Sequence, residues 1–284
     1  MTNMNSKNRQ SRKIKPRDIN NEVAEEDSVK DAAELSSKLI YEVIRRDGAE
    51  ELSRPLVSLL WSGVAAGMIM GLSVIGEAIF RTHMPDTPAR FLVENLGYSL
   101  GFLVVILGRM QLFTENTITT VLPLMAEPTL AMFTRVVRLW AVVLAANVVG
   151  AFVAGIFFMH TSAIPPELLP AMLELSKHAL DLSAEDAFMR AIPAGILIAA
   201  IVWMLPQAKF SAFFVILIFT WLIAAGEFSH IIAGSVEMAI LVVTGNLDFQ
   251  GAVIGFFLPV LAGNIVGGTA IFTMMAWGQV RHEV

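Results

Sequence analysis

The sequence predicts an all-α membrane protein of six spans, built as two oppositely oriented three-helix repeats whose second and fifth spans are broken. Three observations carry this. The first is composition: 284 residues are 55% hydrophobic and only 16% charged, against roughly 25% charged in soluble domains. The second is where the charges lie. Residues 1–54 hold 22 of the 45 charged side chains, which leaves 23 for the other 230 residues. The third is that two apolar stretches are interrupted by polar clusters at matching places in the chain. Length alone, at ~150 residues per domain, would suggest two soluble domains. The charge distribution excludes an ordinary soluble enzyme, a nucleic-acid binder and a disordered chain. The net charge of −5 averages two unlike regions. There is no Cys, so there is no disulfide framework and no thiolate ligand or nucleophile.

Residues 1–27 are polar, first basic and then acidic, and are expected to be a disordered tail. No apolar core follows Met1, so no cleaved signal peptide is expected. Residues 28–52 read as an amphipathic helix with Ala32, Leu35, Leu39, Ile40, Val43 and Ile44 on one side, capped by Ser28-x-x-Asp31. Such a helix lies on the membrane surface or at a subunit contact, unless it is only a solvated lead-in. Residues 53–282 form the six-span domain.

A bilayer core of ~30 Å needs about 20 apolar residues in a helix. Pro55–Gly76 supplies the first span, ending at Glu77 and Arg81. The stretch 95–126 is apolar but interrupted by Arg109 and Glu115, so its two halves cross only together. Leu139–Met159, Ala191–Ala208 and Phe210–Gly226 follow, and Phe249–Val280 is the last. The fifth span is the second broken one: Glu227-Phe228-Ser229-His230 is followed by Ile231–Gly245, with Glu237 inside it. Six spans put both termini on one side. That side carries 15 of the 20 Lys and Arg, and the other carries Arg81, Arg90, Lys177 and Arg190. The bias places both termini in the cytoplasm.

Val143-Leu-Ala-Ala-Asn147-Val-Val-Gly150 resembles Val260-Leu-Ala-Gly-Asn264-Ile-Val-Gly267 at an offset of 117 residues. The same offset carries Phe113 onto His230, so the two breaks match as well. Three spans per copy is an odd number, which inverts the second copy, as in many channels and transporters. Asn-x-x-Gly alone is equally what small-residue helix packing produces. The co-placed breaks favour the repeat, because non-helical backbone at membrane depth needs a protein or cavity partner.

The chemistry-bearing residues sit in the breaks. Leu112, Phe113, Thr114 and Glu115 occupy the first; Phe228, Ser229 and His230 occupy the second. Facing half-helices bring Phe113, Thr114 and His230 to one midplane point, with apolar rings as a constriction and His230 as its titratable group. Alternatively, His230 only satisfies broken backbone. Arg109 and Glu115 pair with each other or line a wet vestibule. No nucleotide loop, metal-ligand spacing or nucleophile–base pair is present, so neither an enzyme nor a cofactor is expected.

Together these segments resemble the formate/nitrite transporter family, closest to its YfdC-like branch. The carrying residues are Tyr98-Ser-Leu-Gly101 through Leu112-Phe113-Thr114, Trp140 with Asn147-x-x-Gly150, Phe188-x-Arg190 through Val202-Trp203, Phe228-Ser-His230, and Leu258-Pro259 through Asn264-Ile-Val-Gly267-Gly268. The resemblance covers roughly residues 35–282. It implies an aquaporin-like protomer in a homopentamer in the inner membrane, surrounded by lipid. Each protomer would have its own pore for a small monovalent weak-acid anion. The central His of the family matches His230 and its Thr partner matches Thr114. The apolar constrictions match Leu112, Phe113 and Phe102, with Tyr98 and Ile223 at further narrow positions.

The chain also departs from the pattern. The family's Lys before the fourth span falls at Ala179, its amides fall at Gly195 and Gly234, and the acid before the His falls at Ser229, with Glu227 nearby. An acid, Glu115, is added beside the break, and Arg109 precedes it. A charged Glu115 facing the pore would repel anions. Two other functions therefore stay open: a pore for a neutral small molecule or a cation, and a non-conducting scaffold that presents its N-terminal tail.

Overall fold

The computed structural model describes residues 35–283, so the predicted tail, the helix start at 28–34 and the Ser28–Asp31 cap lie outside the described residues. Every regular element among the described residues is helical.

The first, α1, is Ser37–Glu51, and Ser36 caps it through its hydroxyl to the Leu39 amide. Its buried face differs from the expected one. Tyr41, Ile44 and Gly48 face inward, while Leu39 and Val43 are exposed. The reason is Gly48: a Cβ there would lie 1.8 Å from the Thr119 carbonyl oxygen, so the glycine decides which face can approach. On its outer side, hydrogen bonds from Arg45 and Arg46 hold the Glu42 carboxyl down at about 2.

The apolar elements follow. They are α2 (Leu56–His83) and α3 (Pro88–Leu107), the short α4 (Phe113–Thr119) and α5 (Val121–Ala126), and the long α6 (Leu130–His160). Then come α7 (Leu169–Leu180), α8 (Ala184–Ala208), α9 (Ala212–Ala225) and α10 (Ile231–Val243). The last is α11 (Phe249–Val280), which contains two π-helical stretches, Ala252–Phe257 and Val266–Thr273. Among the described residues, five helical stretches are long and apolar enough to cross a membrane, counting α8 with α9 as one. The first runs past Glu77 and Arg81, where the sequence reading ended it.

Packing follows the repeat. α2 lies along α6, and α8 along α11. Both pairs close on glycine. A Cβ on Gly67 would lie 2.0 Å from the Asn147 carbonyl oxygen, and one on Gly195 would lie 2.4 Å from that of Asn264. Gly150 meets the Val64 carbonyl and Gly267 meets that of Ile192 in the same way. Each short helix then packs on the other copy's elements: α4 on α8 and α11, α10 on α6.

Candidate functional site

The site is built on two turns. α3 ends at Gly108 and α9 at Gly226. In each, the next residue turns into the left-handed region, Arg109 at φ 51° and Glu227 at φ 53°. The Arg109 amide bonds the Ile106 carbonyl and the Met110 amide bonds that of Val105. The Glu227 and Phe228 amides do the same with Ala224 and Ile223. This is the Schellman stop of a helix, usually made by glycine; here a charged residue takes its place at both sites. The next helix begins after Leu112 in one copy and His230 in the other, with nearly identical backbone angles.

The turns therefore superimpose at an offset of 118 residues, not 117. Leu112 is the counterpart of His230, and Phe113 of Ile231. The repeated asparagines stay at 117 because the second copy is one residue shorter between its turn and its Asn. Their work is the same in both. Asn147 accepts from the Phe113 amide at 2.9 Å and donates to the Gln111 and Gly63 carbonyls. Asn264 accepts from the Ile231 amide at 2.8 Å and donates to the Ser229 and Ala191 carbonyls. One amide side chain thus satisfies the interrupted backbone at each turn.

Two cavities approach these turns. The first, about 90 Å³, ends at Ser229, His230 and Gly234. Tyr98, Glu77 and Glu237 line it as well, with Arg81, His178, Arg190 and Glu227 also among its walls. The second, about 360 Å³, ends at Leu112 and Glu115, with Arg109, Gln111, Asp47 and Glu51 around it. α3 and α8 pass both: Tyr98 and Arg190 line the first cavity, Ile106 and Val202 the second. At 1.5 Å per residue, the cavities sit at opposite ends of these helices.

Between them is a plug of buried side chains. Thr114 Oγ1 lies 2.8 Å from His230 Nε2. The Phe102 ring meets the imidazole edge-on at 4.9 Å and stacks against Tyr98 at 5.2 Å. Leu112, Phe102, Thr114 and His230 are all buried. His230 Nδ1 accepts from the Ala233 amide, capping α10. A neutral imidazole that accepts at Nδ1 carries its hydrogen on Nε2, which aims that donor at Thr114.

Not every expected residue lies here. Phe113 and Ile223 are buried but line neither cavity; Phe113 instead packs edge-on against Trp140. Arg109 does not pair with Glu115. Its side chain is 82% exposed, with Asp47 of α1 at 3.8 Å. Gln111, absent from the expected set, ties the turn to α1 by donating to Glu51. Ala179 and Gly234 do line the first cavity. Gly195 lines neither, because it is held in the helix crossing. Glu77 does not end the first apolar helix as its charge suggests, because the apolar run Ala78-Ile79-Phe80 continues beyond it.

A helical membrane-type bundle with two opposed cavities and a buried plug is built like the protomer of a channel or transporter. The comparisons agree: the chain belongs to the formate/nitrite transporter family, whose sequence pattern (Formate/nitrite transporter) matches residues 38–278. It is 43% identical to inner membrane protein YfdC of Escherichia coli (strain K12) over 245 residues, 86% of this chain and 79% of that protein. It is 27% identical to formate channel FocA of Haemophilus influenzae over 267 residues, 82% and 92% of the two chains. Among solved structures, it resembles a pentameric formate channel with formate bound, at a TM-score of 0.68 and 22% identity, over 81% of this chain and 98% of that one. It also resembles an FNT family ion channel, at a TM-score of 0.73 and 16% identity, over 84% and 98%.

Proposed function

We propose that the protein is a homopentamer in which each protomer has its own pore, passing a small monovalent weak acid of the formate or nitrite kind across the inner membrane. Each protomer crosses six times, with α3–α5 forming the broken second span and α9–α10 the broken fifth. Both termini lie in the cytoplasm, by the excess of Lys and Arg on that side. The observation that carries this reading is the His230–Thr114 bond at 2.8 Å inside the plug that separates two cavities.

An anion is costly in such a plug, since a buried unpaired charge has no solvent to stabilise it. A neutral acid avoids that cost. The Nε2–H of His230 exchanges Thr114 for a solute oxygen, and Phe102 and Leu112 exclude water on either side. In this reading Tyr98 lines the approach, and Phe113 and Ile223 stiffen the wall behind it.

In proteoliposomes, His230→Ala is expected to lower formate flux by up to about tenfold, the equivalent of one hydrogen bond between neutral groups at ~0.5–1.5 kcal/mol. His230→Asn keeps a capping side chain and serves as the folding control, with low flux expected despite native assembly. Unchanged flux in His230→Ala sinks the role of this residue.

One observation favours a second reading, passage of a cation. The second cavity holds Asp47, Glu51 and Glu115 against the single Arg109. Reversal potentials in mixed salts separate the two. Cation selectivity that disappears in Glu115→Gln establishes the second reading; anion selectivity in both proteins removes it.

A further inference from the structure

The first cavity holds buried acids that the plug chemistry leaves unused. Glu77 of α2 is 5% exposed and Glu237 of α10 is 8% exposed, and both line this cavity. Neither has a hydrogen-bond or ion-pair partner among the described residues. The Glu237 carboxyl is close enough to act electrostatically on that of Glu77. A third polar group, the Tyr98 hydroxyl, is independently in the same position. Tyr98 is 7% exposed, lines the same cavity and feels both carboxyls, yet its hydroxyl bonds no described residue. Its ring leads on to Phe102 and so to His230.

The nearby cations are already engaged. Arg81 holds Glu94 at 2.6 Å and Glu174 at 3.3 Å. His178 and Arg190 both hold Glu227 at 3.0 Å. Among the described residues lining this cavity, no basic side chain without a carboxylate of its own is left to neutralise Glu77 and Glu237, and burying unpaired charge is strongly unfavourable. A proton or an external cation must do it. Two carboxyls and a phenol are too few for a dehydrated metal ion, which takes six or more oxygens. No group of three His, Cys, Asp or Glu among the described residues is placed to hold one either. A proton needs only one oxygen.

We propose that Glu77 and Glu237, with Tyr98, form a proton-loading site that binds a weak-acid anion by hydrogen bonds and protonates it before it reaches His230. The inference rests on the weak-acid reading above. An anion enters the cavity and accepts hydrogen bonds from the protonated carboxyl and the phenol. The carboxyl proton passes to the anion, leaving a carboxylate and a neutral acid. The acid crosses the plug, and the carboxylate takes a new proton from the solution on its own side. One proton and one anion move together, so net charge movement is zero. The groups facing the pair are Arg81 on α2, Glu94 and Tyr98 on α3, His178 on α7, Arg190 on α8, and Glu227 and His230 at the second turn. All but Tyr98 and His230 are held in the ion pairs named above.

The test has two readouts on full-length protein in lipid. Infrared spectra are expected to show a protonated-carboxyl C=O band at neutral pH that formate perturbs and that Glu77→Gln with Glu237→Gln removes. Formate-coupled proton uptake, followed with an internal pH dye, is expected to fall in that double variant by about a hundredfold, the low end of what a positioned proton donor supplies. Its rise with external acidity should flatten as well, with pentamer assembly intact. Absence of the band, or a band that sodium or ammonium abolishes and formate leaves unchanged, overturns the site. So does unaltered uptake in the double variant. Wild-type protein that moves no formate defeats the transport reading instead, while the infrared band still decides whether the pair holds a proton.

Discussion

Asn264→Leu is expected to unfold the second turn and to lower the thermal midpoint of the assembled protein by on the order of 10 °C. Leucine keeps the branched four-atom outline of the side chain, so the main loss is polar. It orphans the Ile231 amide, at the first position of α10, and the Ser229 carbonyl in the non-helical turn before it, whereas Ala191 keeps its place in α8. Each buried unsatisfied group costs about 1–3 kcal/mol, and native proteins hold only about 5–15 kcal/mol in total. Asn147→Leu is expected to do the same at the first turn, through the Phe113 amide and the Gln111 carbonyl. Fluorescence-detected size exclusion after a temperature series measures both. A midpoint within a degree of the native one would show that the asparagines are not the support of the turns.

Gly67→Val has an expected effect of similar size by a different route. Its Cβ would lie 2.0 Å from the Asn147 carbonyl oxygen. That atom is backbone, so α2 and α6 must separate by more than an ångström. Over-packing costs typically ~1–3 kcal/mol, and here it also displaces the residue that supports the first turn. Loss of assembled protein is expected, and Gly195→Val is expected to repeat it through Asn264. Gly278→Ala is the control: nothing lies within 4 Å of its Cβ, so a change between neutral and about 1 kcal/mol of stabilisation is expected from helix propensity. Equal yield and midpoint for Gly67→Val and Gly278→Ala would reject the close-crossing account.

Particular residues show what was legible beforehand. His230 and Thr114 stand out as candidates because they lie where polar residues interrupt apolar stretches, in 230 residues that carry only 23 charges. The matching Asn-x-x-Gly pairs were legible for the same reason. The register of the turns was not. Alignment on the asparagines gives an offset of 117, and only backbone geometry shows that His230 stands where Leu112 stands. A helix that stops by hydrogen bonding leaves no fixed sequence mark when Arg109 and Glu227, rather than glycine, take the left-handed position. Glu77 was hidden likewise, since one acid in an apolar run can end a span or project into a cavity.

The sequence by itself determined the class of protein, the candidate histidine and the family likeness, because hydropathy and residue type are local properties of a chain. The tertiary structure decided which groups meet. It turned Arg109 toward Asp47 rather than Glu115, set Phe113 against Trp140, and brought Glu77, Glu237 and Tyr98 into one cavity. These choices depend on how closely helices pack at Gly48, Gly67 and Gly195. Such contacts join residues far apart in the chain, and no local pattern encodes them.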